Sequence, residues 1–344
     1  MAGRSSRQSP TWPASHKREF STMTKKHNQI KALDRFVASA LMLITPEYKA
    51  VRNARLKSTV LMHAQQHAFH IKPEYIQVEG KKIRFARGGV EGKPTILLLN
   101  PLPQSIFCYE QIWPLLSQNF QLFAYDLPGF GGSEGGAEVM NTEKQSQILA
   151  EFISQVNISD FHLVGPDIGM PVALHYALRD DCRAISLVIG DGPCVSPTFN
   201  GSIIDRMVDS ALWRLIFRIG GAGTFVAGAN KLCYVNYTPC PEELADYVSS
   251  YKGRIGSVME WFRNYPEIID SIQPHLSEIQ IPIQIFWGDL DQLLLVQTGK
   301  RIHELLPKSK LTVFENCGHF SYQDRSDEFA SMVSEWVVEN SSSC

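Results

Sequence analysis

Gly165-Pro166-Asp167-Ile168-Gly169 follows the apolar run Phe161-His162-Leu163-Val164 and precedes Pro171-Val172-Ala173-Leu174-His175-Tyr176-Ala177-Leu178, which reads as a helix. A buried strand, a sharp Gly-x-X-x-Gly turn and a helix hold the turn's central side chain exposed at a strand end, where it can act as a nucleophile. That residue is commonly Ser; here it is Asp167. A carboxylate attacking carbon forms an alkyl ester, whereas Ser forms an acyl ester. The substitution points away from esterases and peptidases, and toward ring opening of epoxides or displacement of halide.

Working outward, the pattern on both sides is strand alternating with helix. Tyr75–Val78 and Lys82–Ala86 alternate like the arms of a hairpin about Glu79-Gly80-Lys81. Thr95–Leu99 and Leu122–Tyr125 are continuous apolar runs, as buried parallel strands require. A helical pattern over Ser146–Val156 leads to the elbow strand, and Ala184–Ile189, Ile283–Trp287 and Ser309–Phe314 follow as further strands. The fold class expected is α/β, a mostly parallel central sheet with helices on both faces. Residues 195–277 interrupt the alternation with a helical, aromatic-rich stretch, a lid over the strand ends where ligands of such sheets bind. The expected organisation is therefore a core of 74–194 and 278–344, the lid, a helical extension over 28–73 broken at Thr45-Pro46, and a tail over 1–27.

The totals narrow the function classes. The 344-residue chain has 44% hydrophobic residues and a net charge of −2, with no global basic excess for nucleic acid. No apolar run approaches the roughly 20 residues of a membrane span, so no membrane partner is expected. Seven cysteines, an odd number without a C-x-x-C pair, read as thiols of a cytoplasmic protein and not as a disulfide framework or zinc site. Residues 1–26 carry six basic side chains and one acid, the composition of an organelle targeting segment or of a disordered tail. His162, His175 and His70 lack metal-ligand spacing. No metal or cofactor is assigned.

Three polar residues follow strands in a telling order: Asp167 at the elbow, Asp291 in Gly288-Asp289-Leu290-Asp291, and His319 in Asn316-Cys317-Gly318-His319. In the order nucleophile, acid, His, the imidazole would activate water and Asp291 would orient it, with Asp289 the competing acid. The chain resembles the α/β-hydrolase superfamily in the branch of epoxide hydrolases and haloalkane dehalogenases. The likeness rests on Asn100-Pro101-Leu102-Pro103-Gln104 in place of His-Gly-x-Pro, on Asp126–Ser133, on the elbow, on Trp287–Asp291 and on Cys317-Gly318-His319. It implies a covalent alkyl-ester intermediate, with Leu102 and Ile168 N–H groups as oxyanion donors.

In the lid, Glu242–Val248 followed by Trp261-Phe262-Arg263-Asn264 is similar to the lid of epoxide hydrolases. The resemblance makes Tyr247 the phenol that hydrogen-bonds the epoxide oxygen, places Trp261 beside it, and leaves Tyr234 and Tyr237 as neighbours without a clean match to a second lid Tyr. Asn100 could donate to substrate or serve as a structural tie. Ile168 stands where dehalogenases have an indole donor, which disfavours a halide substrate. The expected function is epoxide hydrolysis of a small apolar organic molecule. The alternatives are carbon–halogen hydrolysis and a non-catalytic ligand- or partner-binding protein. The N-terminal helices or the lid offer surfaces for a homo-oligomer.

Overall fold

The computed structural model describes residues 29–59, 62–63, 69–196 and 202–341; the 1–27 tail lies outside them. Ten strands form in chain order: β1 Met62–His63, β2 Glu74–Val78, β3 Lys81–Gly89, β4 Thr95–Leu99, β5 Gln121–Tyr125, β6 Phe161–Pro166, β7 Ala184–Gly190, β8 Tyr237–Thr238, β9 Ile283–Gly288 and β10 Ser309–Phe314. Eight make one sheet in the order β10-β9-β7-β6-β4-β5-β3-β2. All pairings from β10 to β5 are parallel; β3 runs antiparallel to both β5 and β2. β6 and β9 are buried along their whole length, as their unbroken apolar sequences require. The β2–β3 hairpin turns through Glu79 and Gly80, both at positive φ (48° and 74°), the two-residue geometry that suits the twist of paired strands.

Parallel pairing brings the C-terminal ends of β4, β5, β6, β7, β9 and β10 to one edge of the sheet. The helices Ile203–Asp209, Ala211–Leu232, Pro241–Tyr251, Ile255–Arg263 and Tyr265–Asp270 are inserted between β7 and β9. The long Ala211–Leu232 helix kinks at Gly221, whose φ of 71° and ψ of −175° leave the helical region.

The N-terminal extension forms the helices Ala32–Leu43 and Pro46–Lys57, parted where Thr45 turns extended before Pro46. The extension was expected to be helical across 28–73, and the second helix would then run on past Lys57. It stops at Lys57 because Ser58 takes an extended conformation, and Met62–His63 instead pairs in parallel with Tyr237–Thr238. The second helix is tied to the insertion by two bonds: Glu47 Oε1 accepts the Ile203 N–H at 2.7 Å, and Arg55 Nη1 donates to the Tyr237 carbonyl at 3.2 Å.

One buried ion-pair network also joins insertion and sheet. Arg84 of β3 donates Nε to Asp126 at the end of β5, and its two Nη groups to Asp246 on the Pro241–Tyr251 helix at 2.8 and 3.1 Å. Asp126 is fully buried and also accepts the Ile106 and Gly132 N–H groups at 2.8 and 2.7 Å. Removing one member of such a network strands the others without a counter-charge. Arg84→Met is expected to lower unfolding free energy by about 3–5 kcal/mol in denaturant titration.

Candidate active site

The turn after β6 is tight. Asp167 sits at φ 49°, its N–H donates to the Gly190 carbonyl at 2.9 Å, and its own carbonyl accepts the Met170 N–H at 3.0 Å. A left-handed backbone at a residue other than Gly costs about 1–3 kcal/mol and persists where the surroundings over-determine it. Gly165 permits the turn: a Cβ there would lie 2.6 Å from the Gly169 carbonyl oxygen. The strand and the following helix can therefore close on each other, and Asp167 is thrust out at the sheet edge.

There the carboxylate meets two groups. Oδ2 accepts the Leu102 N–H at 2.6 Å, and Oδ1 lies 3.7 Å from His319 Nε2. His319 Nδ1 is 2.8 Å from Asp291 Oδ2, and Asp291 Oδ1 accepts the Leu293 and Leu294 N–H groups at 2.8 and 3.1 Å. The competing acid, Asp289, instead accepts the Cys317 N–H at 3.0 Å. Exposure falls from 8% at Asp167 to 2% at His319 and 1% at Asp291. Burial opposes charge on His319, but the carboxylates of Asp291 and Asp167 outweigh it and hold its pKa well above the ordinary imidazole value.

Above this row lies an apolar cavity with about 650 Å³ of empty space. Asp167, His319, Leu102 and Ile168 form its floor; Trp261, Phe262, Tyr265, Phe217 and Phe225 come from the helical insertion, and Met42 from the N-terminal extension. Two polar atoms of these wall residues, Trp261 Nε1 and Tyr265 Oη, are buried with no hydrogen-bond partner among the described residues. Burial, and then the charge of Asp167, push the Tyr265 phenol well above its usual pKa, so it stays a neutral donor.

Several expected site residues lie elsewhere. Tyr247 is buried but does not line the cavity; its Pro241–Tyr251 helix packs toward the Ile106–Tyr109 turn. Tyr234 donates to Gln323 at 2.7 Å and accepts from Gln104 at 2.5 Å, and Tyr237 donates to Glu243 at 2.8 Å. Both phenols belong to a buried network in which burial raises Glu243 to about 7. Asn100 is a tie: its amide donates to the Pro101 carbonyl at 3.1 Å and its Oδ1 accepts the Leu127 N–H at 2.7 Å. Trp261 does face the cavity. Tyr265, not singled out from the sequence, faces it too, and its spacing of four from Trp261 was the available signal. Asp191 was also missed. It follows β7 at φ 49°, is fully buried, and accepts from Ser321 Oγ at 2.7 Å. Among the described residues no His, Cys, Asp and Glu side chains cluster as a metal site, and no helix is long and apolar enough to cross a membrane.

Comparison with known proteins matches residues 96–332 to the family described as "Alpha/beta hydrolase family". The chain belongs to that family. Its mostly parallel sheet flanked by helices is that of an alpha/beta hydrolase. Among similar proteins, monoacylglycerol lipase ABHD6 of Rattus norvegicus is 26% identical over 265 residues, covering 73% of this chain and 77% of that one. An uncharacterized hydrolase of Saccharomyces cerevisiae is 25% identical, covering 77% and 97%. Of solved structures, haloalkane dehalogenase DbeA from Bradyrhizobium elkani superposes with a TM-score of 0.70 at 18% identity, covering 80% of this chain and 100% of that one. A membrane phospholipase A gives a TM-score of 0.66 at 19% identity, covering 95% and 98%. At these identities the structures attest the fold alone.

In this alpha/beta hydrolase the elevated His319 pKa has a stability consequence. A cation favoured in the folded state adds stability that is fully present below the ordinary imidazole pKa and is lost as pH rises through the folded one. Asp291→Asn removes the main charge that raises it. Imidazole NMR of the wild type should show His319 protonated well above the usual range, and of Asp291→Asn titrating lower. Denaturation of the wild type should lose stability over the alkaline interval, and the variant should not; identical imidazole titration curves would refute the assignment.

Proposed function

We propose that Asp167 is the nucleophile of a two-step hydrolysis that opens an epoxide to a diol through an alkyl-ester intermediate. The observation that carries this reading is a carboxylate at the elbow with Oδ2 on the Leu102 N–H at 2.6 Å and Oδ1 3.7 Å from His319 Nε2. Asp167 Oδ1 attacks a ring carbon and the C–O bond breaks. Its electron pair stays on the ring oxygen, which takes a proton from Tyr265. A departing alkoxide needs such a donor, and a buried neutral phenol in the cavity wall suits the task.

Ester formation changes His319. Asp167 loses its charge, one of the two carboxylates that keep the imidazole protonated is gone, and burial then favours the neutral form. Once its proton has passed to the Tyr265 phenolate, Nε2 can accept one from water, which attacks the Asp167 Cγ. The negative charge that develops on Oδ2 meets the Leu102 N–H already in place, with Ile168 N–H as second donor by its position. The ester C–O bond breaks, the departing oxygen takes the proton of the newly formed carboxyl group, and the diol leaves with Asp167 a carboxylate, His319 protonated and Tyr265 neutral again, so that epoxide and water balance the diol.

The unpartnered Trp261 Nε1 favours a second reading. A halide leaves without needing a proton, so an N–H donor alone can stabilise it, and the same ester chemistry would then serve carbon–halogen hydrolysis. The relatives include lipases by name, yet no Ser stands at this elbow.

With His319→Gln the ester should accumulate. Intact mass after incubation with an epoxide set should rise by the full substrate mass, with an organohalide set by the substrate less hydrogen halide, and with Asp167→Asn not at all. Absence of any adduct across both sets would sink the nucleophile assignment. Tyr265→Phe should slow ester formation from epoxides by about 10²- to 10⁴-fold in single-turnover kinetics, the usual worth of a general acid. An unchanged rate would remove Tyr265 from the mechanism.

A further inference from the structure

We infer that the outer face of the Ala32–Leu43 and Ala211–Leu232 helices docks onto the surface of an anionic lipid bilayer. The two helices pack side by side: a Cβ on Gly223 would meet the Asp34 carboxylate at 2.3 Å, and one on Gly228 would meet the Met42 methyl at 3.6 Å. Their inner faces are buried, with Met42, Phe217 and Phe225 in the cavity wall. Their outer faces should then be polar, and they are not. Leu33, Phe36 and Leu43 make one exposed stripe at helical spacing, and Leu212, Leu215 and Ile219 make another. With the Pro46–Lys57 helix and the Ile44 between, this region holds eight of the thirteen large apolar side chains exposed among the described residues. A concentration of that kind marks an interaction surface and not the ordinary scatter of apolar side chains.

Charge decides what covers it. Residues 31–57 carry six basic and two acidic side chains and residues 203–232 four and two, an excess of six positive charges in a chain of net −2. Lys31 and Arg35 are exposed beside the first stripe, and Arg218 beside the second. Two copies of this face would repel each other, whereas an anionic surface complements it. Apolar stripes flanked by Lys and Arg are the pattern of helices that lie in a bilayer interface, where each basic residue adds attraction to anionic headgroups. The 28 residues before Gln29 bring six more basic side chains and one acid to the start of the first helix. The docking surface is independent of which bond the site cleaves.

Vesicle flotation of the full chain tests this, with phosphatidylcholine alone or mixed with phosphatidylglycerol. Binding should require the anionic lipid and weaken with salt. Phe36→Ser with Ile219→Ser, both at exposed positions, should reduce partitioning about tenfold or more, and Arg35→Glu with Arg218→Glu should do the same. Thermal unfolding midpoints serve as the control for folding of each variant. No flotation of the wild type, or flotation of both variants equal to wild type, would overturn the proposal. So would light scattering that shows a wild-type dimer made monomeric by Phe36→Ser with Ile219→Ser, because the face would then be covered by a second copy.

Discussion

The site depends on keeping negative charge in a dry place. Asp167, Asp191 and Asp291 converge on His319 beneath an apolar cavity, and each buried carboxylate needs compensation. Asp291 has it: the imidazole at 2.8 Å and two backbone N–H groups. Asp191 has one hydroxyl and one backbone N–H, both neutral. Burial and then the charge of Asp291 drive its pKa well above the carboxylate range.

The sheet makes this convergence possible. Adjacent parallel strands end at one edge, so residues more than a hundred positions apart in sequence become neighbours without any special loop geometry. Gly190 is paired with both Pro166 and Phe286, which sets the ends of β6, β7 and β9 side by side. Close approach is then secured by missing side chains: a Cβ on Gly288 would stand 2.1 Å from the Gly318 carbonyl oxygen, where the loop bearing His319 crosses β9.

That logic explains what could be read from sequence. Asp167, Asp291 and His319 were legible because each follows an apolar strand, and strand order with parallel pairing dictates where each must lie. The lid was not legible in the same way. Tyr247 and Tyr265 both sit in aromatic helices of similar pattern, and which ring faces the cavity depends on how the helices settle on the core. The Arg84–Asp246 ion pair fixes that for the Pro241–Tyr251 helix, and it links residues 162 positions apart. Asn100 likewise reads as an available donor until the fold shows the Leu127 N–H waiting for its Oδ1. The β1–β8 pairing escaped notice because a two-residue strand leaves no periodicity to detect.

The N-terminal helices are part of the site and not an appendage to it. Met42 reaches the cavity wall, and Glu47 receives the first N–H of the Ile203–Asp209 helix, an otherwise unsatisfied donor at a helix start. The wall is therefore two helices thick in sequence terms but one layer thick in space. One face of that layer lines the cavity and the other faces outward. Among the described residues Leu33, Phe36, Leu212 and Ile219 are exposed on the outer side of that layer, while Met42, Phe217 and Phe225 line the cavity on its inner side.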